Sequence, residues 1–203
     1  MLTVAIATES ENFDAEAYRA LLSRLLGEEV TRWKTDMRFS GWKSVCSEIP
    51  LYLDKAADAG VTRALVAIDN DGGARRRPEH DVAHVSAHQA SDNEDGCAFC
   101  LLTEAVPRSW VVGGCKQCLV VPVQVLETWL LVIRGDTLSP SPEQAHAYSR
   151  SALKKRFFGD SIRSQATRTV MALEQIQKPD ALETLRALRS FRLFADQVDR
   201  WAI

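Results

Sequence analysis

The first part of the chain alternates between short apolar runs and longer stretches in which apolar residues recur at helical spacing. The runs Thr3–Thr8 and Arg63–Ile68 are rich in branched apolar residues and predict buried strands, and Glu29–Trp33 predicts a strand between them. The stretches Ala15–Leu26 and Gly41–Ala59 predict helices that end at glycines. This alternation of strands and helices indicates an α/β fold with a mainly parallel sheet flanked by helices.

The rest of the chain predicts one more strand and a helical end. The polar stretch Gly73–Gly96 predicts a loop, and Leu119–Leu126 predicts a buried strand that leads into a helix or a strand extension at Glu127. A Pro/Ser-rich linker at Asp136–Pro142 separates an α/β domain, residues 1–135, from a helical C-terminal region, residues 136–203. Helices are expected at Glu143–Arg156, Ser161–Gln177 and Pro179–Trp201.

Composition sets broad limits on the class of protein. A chain of 203 residues with 46% hydrophobic residues is long enough for one domain with a substantial core. The formal net charge of −2 gives no general attraction to polyanions, so nucleic-acid contacts would need local basic patches. The sequence has neither an apolar run long enough to span a membrane nor a basic stretch before its first apolar run, so we expect a soluble cytoplasmic protein.

Four of the five cysteines form two Cys-x-x-Cys pairs within the segment 95–120. The pairs are Cys97 with Cys100 and Cys115 with Cys118, a spacing that favours four thiolates around one structural Zn²⁺ ion in a zinc-knuckle insertion. A dithiol redox pair and an iron–sulfur cluster are the alternatives.

Acidic residues follow each of the three main predicted strands. Glu9 follows the first strand, Asp69 and Asp71 follow the strand ending at Ile68, and Glu127 follows the strand ending at Leu126. The carboxyl ends of parallel strands meet at one edge of a sheet, so these carboxylates are expected to converge in one cleft and to bind Mg²⁺ or Mn²⁺. The alternative is structural, since Asp-Asn-Asp-Gly-Gly is also a turn sequence and glutamates cap helices.

Basic residues lie next to the acidic positions. Arg75, Arg76 and Arg77 come directly after the Asp-Asn-Asp-Gly-Gly turn and are candidates for binding nucleic-acid phosphates. A solvated loop that neutralises the nearby carboxylates explains the same run. The second basic run, residues 154–156, is interpreted mainly as a complement to a helix dipole.

Several of these motifs resemble known proteins. A strand followed by Glu9 and a helix, with a later strand ending in Asp-x-Asp, resembles the Toprim fold of topoisomerases, bacterial primases, small RNA-maturation nucleases and overcoming-lysogenization-defect nucleases. The stretch Val123–Leu131, with its Glu-Thr-Trp-Leu-Leu sequence, is similar to the strand-Glu-x-Trp-Leu-Leu segment of the small Toprim-like family DUF4276. Ser190–Phe194 matches the Ser-Phe-x-x-Phe sequence of that family's tail.

The resemblance implies specific roles for the acidic residues. Glu9 would be the Toprim glutamate, acting as general acid/base or linked to a metal; Asp69 and Asp71 would bind the metal, and Glu127 would be an auxiliary residue of the site. Ser10 replaces the glycine expected after the glutamate, which leaves the choice between Glu9 and Glu11 open. The cysteine segment is not part of a minimal Toprim domain.

The expected function is therefore Mg²⁺- or Mn²⁺-dependent hydrolysis of phosphodiesters in DNA or RNA. By the same resemblance, the chain would be the effector of a prokaryotic defence complex that contains an ATPase or another defence protein. The alternatives are a non-catalytic zinc-containing interaction subunit and a metal-dependent phosphatase that acts on nucleotides. The sequence contains no Walker loop, nucleophile elbow or dinucleotide-binding fingerprint.

Overall fold

The strands form one parallel sheet. The computed structural model describes residues 1–69, 98–122, 125–139, 148–160 and 164–201. Its strands are β1 (Leu2–Thr8), β2 (Val30–Arg32), β3 (Arg63–Ala67) and β4 (Lys116–Val120), in the order β2-β1-β3-β4. All pairings are parallel. The α/β class and the parallel sheet flanked by helices are thus confirmed.

Helices cover both faces of this sheet. Along each strand successive side chains point to opposite faces, so Val4 and Ile6 join one core and Ala5 and Ala7 join the other. The helices of the second core are α2 (Gly41–Asp58), α3 (Ala98–Ala105) and α4 (Arg108–Val112). Those of the first core are α1 (Asp14–Leu26), α5 (Glu127–Arg134), α6 (Arg150–Phe158), α7 (Gln165–Ile176), α8 (Ala181–Arg186) and α9 (Arg189–Asp199).

The strand order creates a crevice between β1 and β3. From β1 the chain passes to β2 on one side, and it then crosses to β3 on the other side of β1. The connections leave the neighbouring carboxyl ends of β1 and β3 in opposite directions, and in open α/β sheets such a switch point is where ligands bind. The topology therefore places the residues after Thr8 and Ala67 side by side.

The fourth strand lies earlier in the chain than the sequence predicted. The prediction of a strand at Leu119–Leu126 was wrong in its bounds, because β4 spans Lys116–Val120 and begins inside the second cysteine pair. The N–H of Lys116 bonds to the carbonyl of Thr62, which starts the ladder with β3 directly after the turn through Gly113 and Gly114. The apolar residues Val125 and Leu126 lie in the core at the entrance to α5.

Two predicted helices also differ from the structure. Within the described residues, the helix predicted at Glu143–Arg156 begins only at Arg150 (α6), where the Ser149 side chain accepts a hydrogen bond from the N–H of Ala152. The single helix predicted at Pro179–Trp201 is two helices, α8 and α9. Leu188 between them is extended and places its side chain in the core.

Aromatic residues join α5 to α9. The indole Nε1–H of Trp129 on α5 donates a 3.1 Å hydrogen bond to the Ser190 hydroxyl on α9. The Trp129 ring stacks on Phe194 with centroids 6.0 Å apart and meets the edge of Phe191 at 5.1 Å. The two segments that carry the DUF4276 resemblance therefore pack against each other, and all three aromatic residues are in the core. Among the helices described, none is long and apolar enough to cross a membrane.

Candidate active site

The first residues of five helices meet in one cleft of about 460 Å³ at the crevice between β1 and β3. The N-terminus of a helix carries a partial positive charge, so the convergence favours anionic groups inside the cleft. The five residues are Asp14 of α1, Gly41 of α2, Glu127 of α5, Arg150 of α6 and Gln165 of α7.

Four carboxylates form the acidic side of the cleft. Glu9, Asp14 and Glu127 line it, and Asp69 lies behind them with only 8% of its surface exposed. The backbone N–H of Asp69 donates a 2.7 Å hydrogen bond to Oε1 of Glu9. This bond joins the segments that follow β1 and β3, and the four carboxylates come from the ends of two strands and the starts of two helices.

Burial raises the pKa of three of these carboxylates, Asp14, Asp69 and Glu127. Burial, with repulsion from Glu127 and Glu9, raises the pKa of Asp14 to about 7. Burial and the neighbouring carboxylates raise the pKa of Asp69 well above its ordinary value. Burial also raises the pKa of Glu127, while Lys154 lowers it. Like charges crowded at a buried site favour the binding of a cation.

Cationic side chains from α6 and α7 form the opposite side of the cleft. Nη2 of Arg150 lies 3.1 Å from Oδ2 of Asp69 in an ion pair. Lys154 follows one turn later on α6, and Arg168 on α7 places its guanidinium 5.3 Å from the centre of the Phe158 ring. Gln165 completes this side. One cleft therefore carries carboxylates and cations on separate elements.

The structure brings together three of the predicted catalytic residues, Glu9, Asp69 and Glu127. It also distinguishes the two candidate glutamates, because Glu9 lines the cleft whereas Glu11 is bound to Arg32 at 3.4 Å. The predicted residues Asp71, Arg75, Arg76 and Arg77 lie outside the described residues.

Sequence reasoning missed part of this cleft. Asp14 was not among the residues selected from sequence, and Lys154 was interpreted mainly as a complement to a helix dipole. Arg150, Gln165 and Arg168 were not selected at all. The i, i+4 spacing of Arg150 and Lys154 on one helix face was a usable signal, but nothing in the chain order links that face to the end of β1.

The donor set suits a hard divalent cation. Mg²⁺ takes one or two carboxylates together with waters and substrate phosphates. Within the described ranges, no group of three or more His, Cys, Asp or Glu side chains is arranged to hold a metal ion. A divalent cation here would therefore use one or two of the described carboxylates. Their oxygen donors and their mutual repulsion are the features that suit such an ion.

The cysteines are divided between the two sides of the sheet. Cys115 packs against the core that contains α2, whereas Cys118 is fully buried in the opposite core, with Sγ 3.8 Å from the carbonyl of Phe194. Burial raises the pKa of the Cys118 thiol well above its ordinary value. Cys100 is buried on α3, and Cys97 is outside the described residues. Cys115 and Cys118 thus contact different cores, and the zinc site stays a prediction.

Comparison of the chain with protein-family models, with curated proteins and with solved structures gave no match. The Toprim-like resemblance therefore rests on the motifs named above.

Proposed function

We propose that this protein is a Mg²⁺- or Mn²⁺-dependent phosphodiesterase of Toprim type that cleaves DNA or RNA. The observation that carries the proposal is one cleft in which the half-buried carboxylate of Glu9 after β1 and the buried carboxylate of Asp69 after β3 lie together with the cations of α6 and α7. Phosphodiester hydrolysis needs both charges, since the metal requires carboxylates and the substrate phosphates require cations.

Each side of the cleft has a separate role in this proposal. Asp69 and Glu127 would hold the divalent cation, which supplies activation of water and stabilisation of charge on the phosphate. Glu9 is oriented by the N–H of Asp69 and lines the cleft, a position suited to a general acid/base. Lys154 and Arg168 would bind phosphate oxygens from the opposite side.

We also propose, on the motif resemblance alone, that the chain works with an ATPase or another defence protein. The formal net charge of −2 is consistent with a nuclease that depends on a partner for much of its affinity for nucleic acid.

The size of the cleft favours a second candidate, a metal-dependent phosphatase that acts on nucleotides. A volume of about 460 Å³ lies in the range of small-molecule sites, which is about 300–1,000 Å³. The same carboxylates and cations would serve a phosphomonoester.

The test is a cleavage assay with plasmid, linear and single-stranded DNA, RNA and a panel of nucleotides, in Mg²⁺ or Mn²⁺. Wild type is compared with Asp69→Asn and Glu127→Gln, which keep the side-chain size, and with Asp58→Asn, a control at the exposed end of α2. Cleavage of nucleic acid that is lost only in the two site variants supports the proposal. Hydrolysis confined to nucleotides supports the phosphatase, and inactivity on every substrate contradicts both for the isolated chain.

A further inference from the structure

We infer that Arg150 binds substrate, and that it exchanges its ion pair with Asp69 for a substrate phosphate when a divalent cation binds the carboxylates. This inference rests on the proposed function. It assigns a specific residue to substrate recognition and couples substrate binding to metal binding.

Arg150 pairs with a carboxylate that is far more buried than its own side chain. It is the first residue of α6, its side chain is 40% exposed, and the side chain of its partner Asp69 is only 10% exposed. The guanidinium thus reaches from the surface to a buried carboxylate. Withdrawing it needs a change of side-chain rotamer and leaves the packing of Leu153 and Phe157 on the inner face of α6 in place.

A divalent cation would compete with Arg150 for the carboxylate of Asp69. Oδ2 of Asp69 is 3.1 Å from the Arg150 guanidinium, and a divalent cation on this carboxylate would be a second, larger positive charge at the same place. Coulomb repulsion between the metal ion and the guanidinium becomes stronger as they approach, and it weakens the ion pair between Arg150 and Asp69. The neighbouring carboxylates Asp14 and Glu127 favour the divalent ion, because it neutralises more of their charge.

The cleft offers the displaced guanidinium a second position, next to other cationic side chains. Arg150 lines the same cleft as Lys154, one turn along α6, and Arg168 on α7. A guanidinium that leaves Asp69 therefore lies close to Lys154 and Arg168. Three positive charges in one place are favourable when a substrate phosphate binds between them. Guanidinium and phosphate match in a two-point hydrogen-bonding geometry, which a lysine cannot reproduce.

The experiment measures metal and substrate binding separately in the full chain. The variants are Arg150→Ala, Arg150→Lys and the control Lys155→Ala, which removes a charge from the same helix where Lys155 pairs with Asp160. Mn²⁺ binding is followed by electron paramagnetic resonance in mildly alkaline buffer. Binding of a fluorescent single-stranded DNA oligonucleotide is followed by anisotropy in Ca²⁺, and circular dichroism checks the fold.

The exchange predicts opposite effects on the two ligands. Arg150→Ala should bind Mn²⁺ about fivefold more tightly, because a competing cation is gone, and should bind the oligonucleotide about tenfold more weakly. Arg150→Lys should regain the metal affinity of wild type but only part of its affinity for the oligonucleotide. Lys155→Ala should match wild type in both assays.

Failure of this inference can be distinguished from failure of the proposed metal site. If wild type binds Mn²⁺ and Arg150→Ala changes neither affinity, or changes only the metal affinity, Arg150 is a fixed counter-ion and this inference is wrong while the proposed function stands. If wild type binds no Mn²⁺, the proposed metal site fails and the inference falls with it. If Arg150→Ala does not fold, Arg150→Lys alone decides, by whether oligonucleotide affinity falls while Mn²⁺ affinity is kept.

Discussion

The backbone N–H of Asp69 donates a 2.7 Å hydrogen bond to the side chain of Glu9, across the ends of β3 and β1. The regular pairing of these strands ends at Thr8 and Ala67, so the side chain of Glu9 extends their connection past the sheet edge. The carboxylate of Asp69 in turn holds Arg150 on α6. Asp69 thereby links the sheet, the acidic side of the cleft and the cationic side.

The contrast between Glu9 and Glu11 gives the first prediction. Glu9→Gln keeps an oxygen that can accept the Asp69 N–H but removes the charge, so Mg²⁺-dependent cleavage should fall by about 100-fold or more. Glu11→Gln should stay within about threefold of wild type, because Glu11 is bound to Arg32. The measurement is the cleavage rate at saturating Mg²⁺ with folding checked by circular dichroism. A larger loss in Glu11→Gln than in Glu9→Gln would place the glutamates the other way round.

Asp14 should make the stability of the metal-free protein fall as pH rises. Its pKa is raised from 3.8 to about 7 by burial and by Glu127, so the folded state keeps a proton that the unfolded chain has lost between these values. Stability therefore decreases from about pH 4 to about pH 7 and then levels off. Asp14→Asn should make the decrease smaller, leaving the share that comes from Asp69 and Glu127, and should stabilise the protein above pH 7 by on the order of a few kcal/mol.

The measurement for Asp14 is urea unfolding across this pH range in the presence of a chelator. Asp58→Asn at the exposed end of α2 is the control and should follow wild type at every pH. Equal pH dependence in wild type and Asp14→Asn would show that Asp14 does not carry the effect. The same variant should lose metal-induced stabilisation if Asp14 helps to attract the cation.

The acidic half of the site was accessible from sequence, and the cationic half was not. The runs that became β1 and β3 are short, apolar and branched, so their ends could be located and Glu9 and Asp69 selected. Arg150 and Arg168 lie on C-terminal helices whose own patterns fix which face is buried but not which end of the sheet they cover. That placement depends on long-range packing, such as the contact between Trp129 and Ser190.

The cysteine segment shows a second limit of prediction from sequence, because a local pattern does not contain the strand pairing. The Cys-x-x-Cys spacing predicts a zinc knuckle at Cys115 and Cys118, and in the structure β4 begins at Lys116 and places Cys118 in the core against α9. The same segment has the spacing of a knuckle at Cys115 and Cys118 and an apolar run typical of a buried strand at Cys118–Val121. The start of the strand could not be read from this pattern, because it depends on pairing with β3, which is distant in sequence.

The hydrogen bond between Trp129 and Ser190 gives a stability prediction. Ser190→Ala would leave the buried indole N–H without this acceptor and should cost about 1–3 kcal/mol of unfolding free energy. Adding Trp129→Phe to Ser190→Ala removes the donor as well, so the double variant should be less destabilised than the sum of the two single variants. Urea unfolding of the four proteins measures this, with Ser47→Ala on the exposed face of α2 as a control. Strict additivity would show that the bond contributes nothing.

Gln197 should protect the outer edge of β4. Its side-chain amide accepts a 2.9 Å hydrogen bond from the N–H of Leu119 and donates one of 2.9 Å to the Leu119 carbonyl, as a neighbouring strand would. In the described sheet β4 is an end strand, and exposed strand edges pair with other chains. Gln197→Leu should therefore lower the unfolding free energy by about 2 kcal/mol and increase self-association. Urea unfolding and sedimentation velocity are the two measurements.

Two further variants separate edge protection from simple hydrophobicity. Gln197→Glu keeps an acceptor for the Leu119 N–H but loses the donor to its carbonyl, so its stability should lie between wild type and Gln197→Leu. Gln177→Leu adds the same apolar side chain at the exposed end of α7 and should not promote self-association. If Gln177→Leu associates as strongly as Gln197→Leu, the added leucine causes the association. If only Gln197→Leu associates, the uncovered groups of Leu119 are the cause, because nothing else in that variant exposes a strand edge.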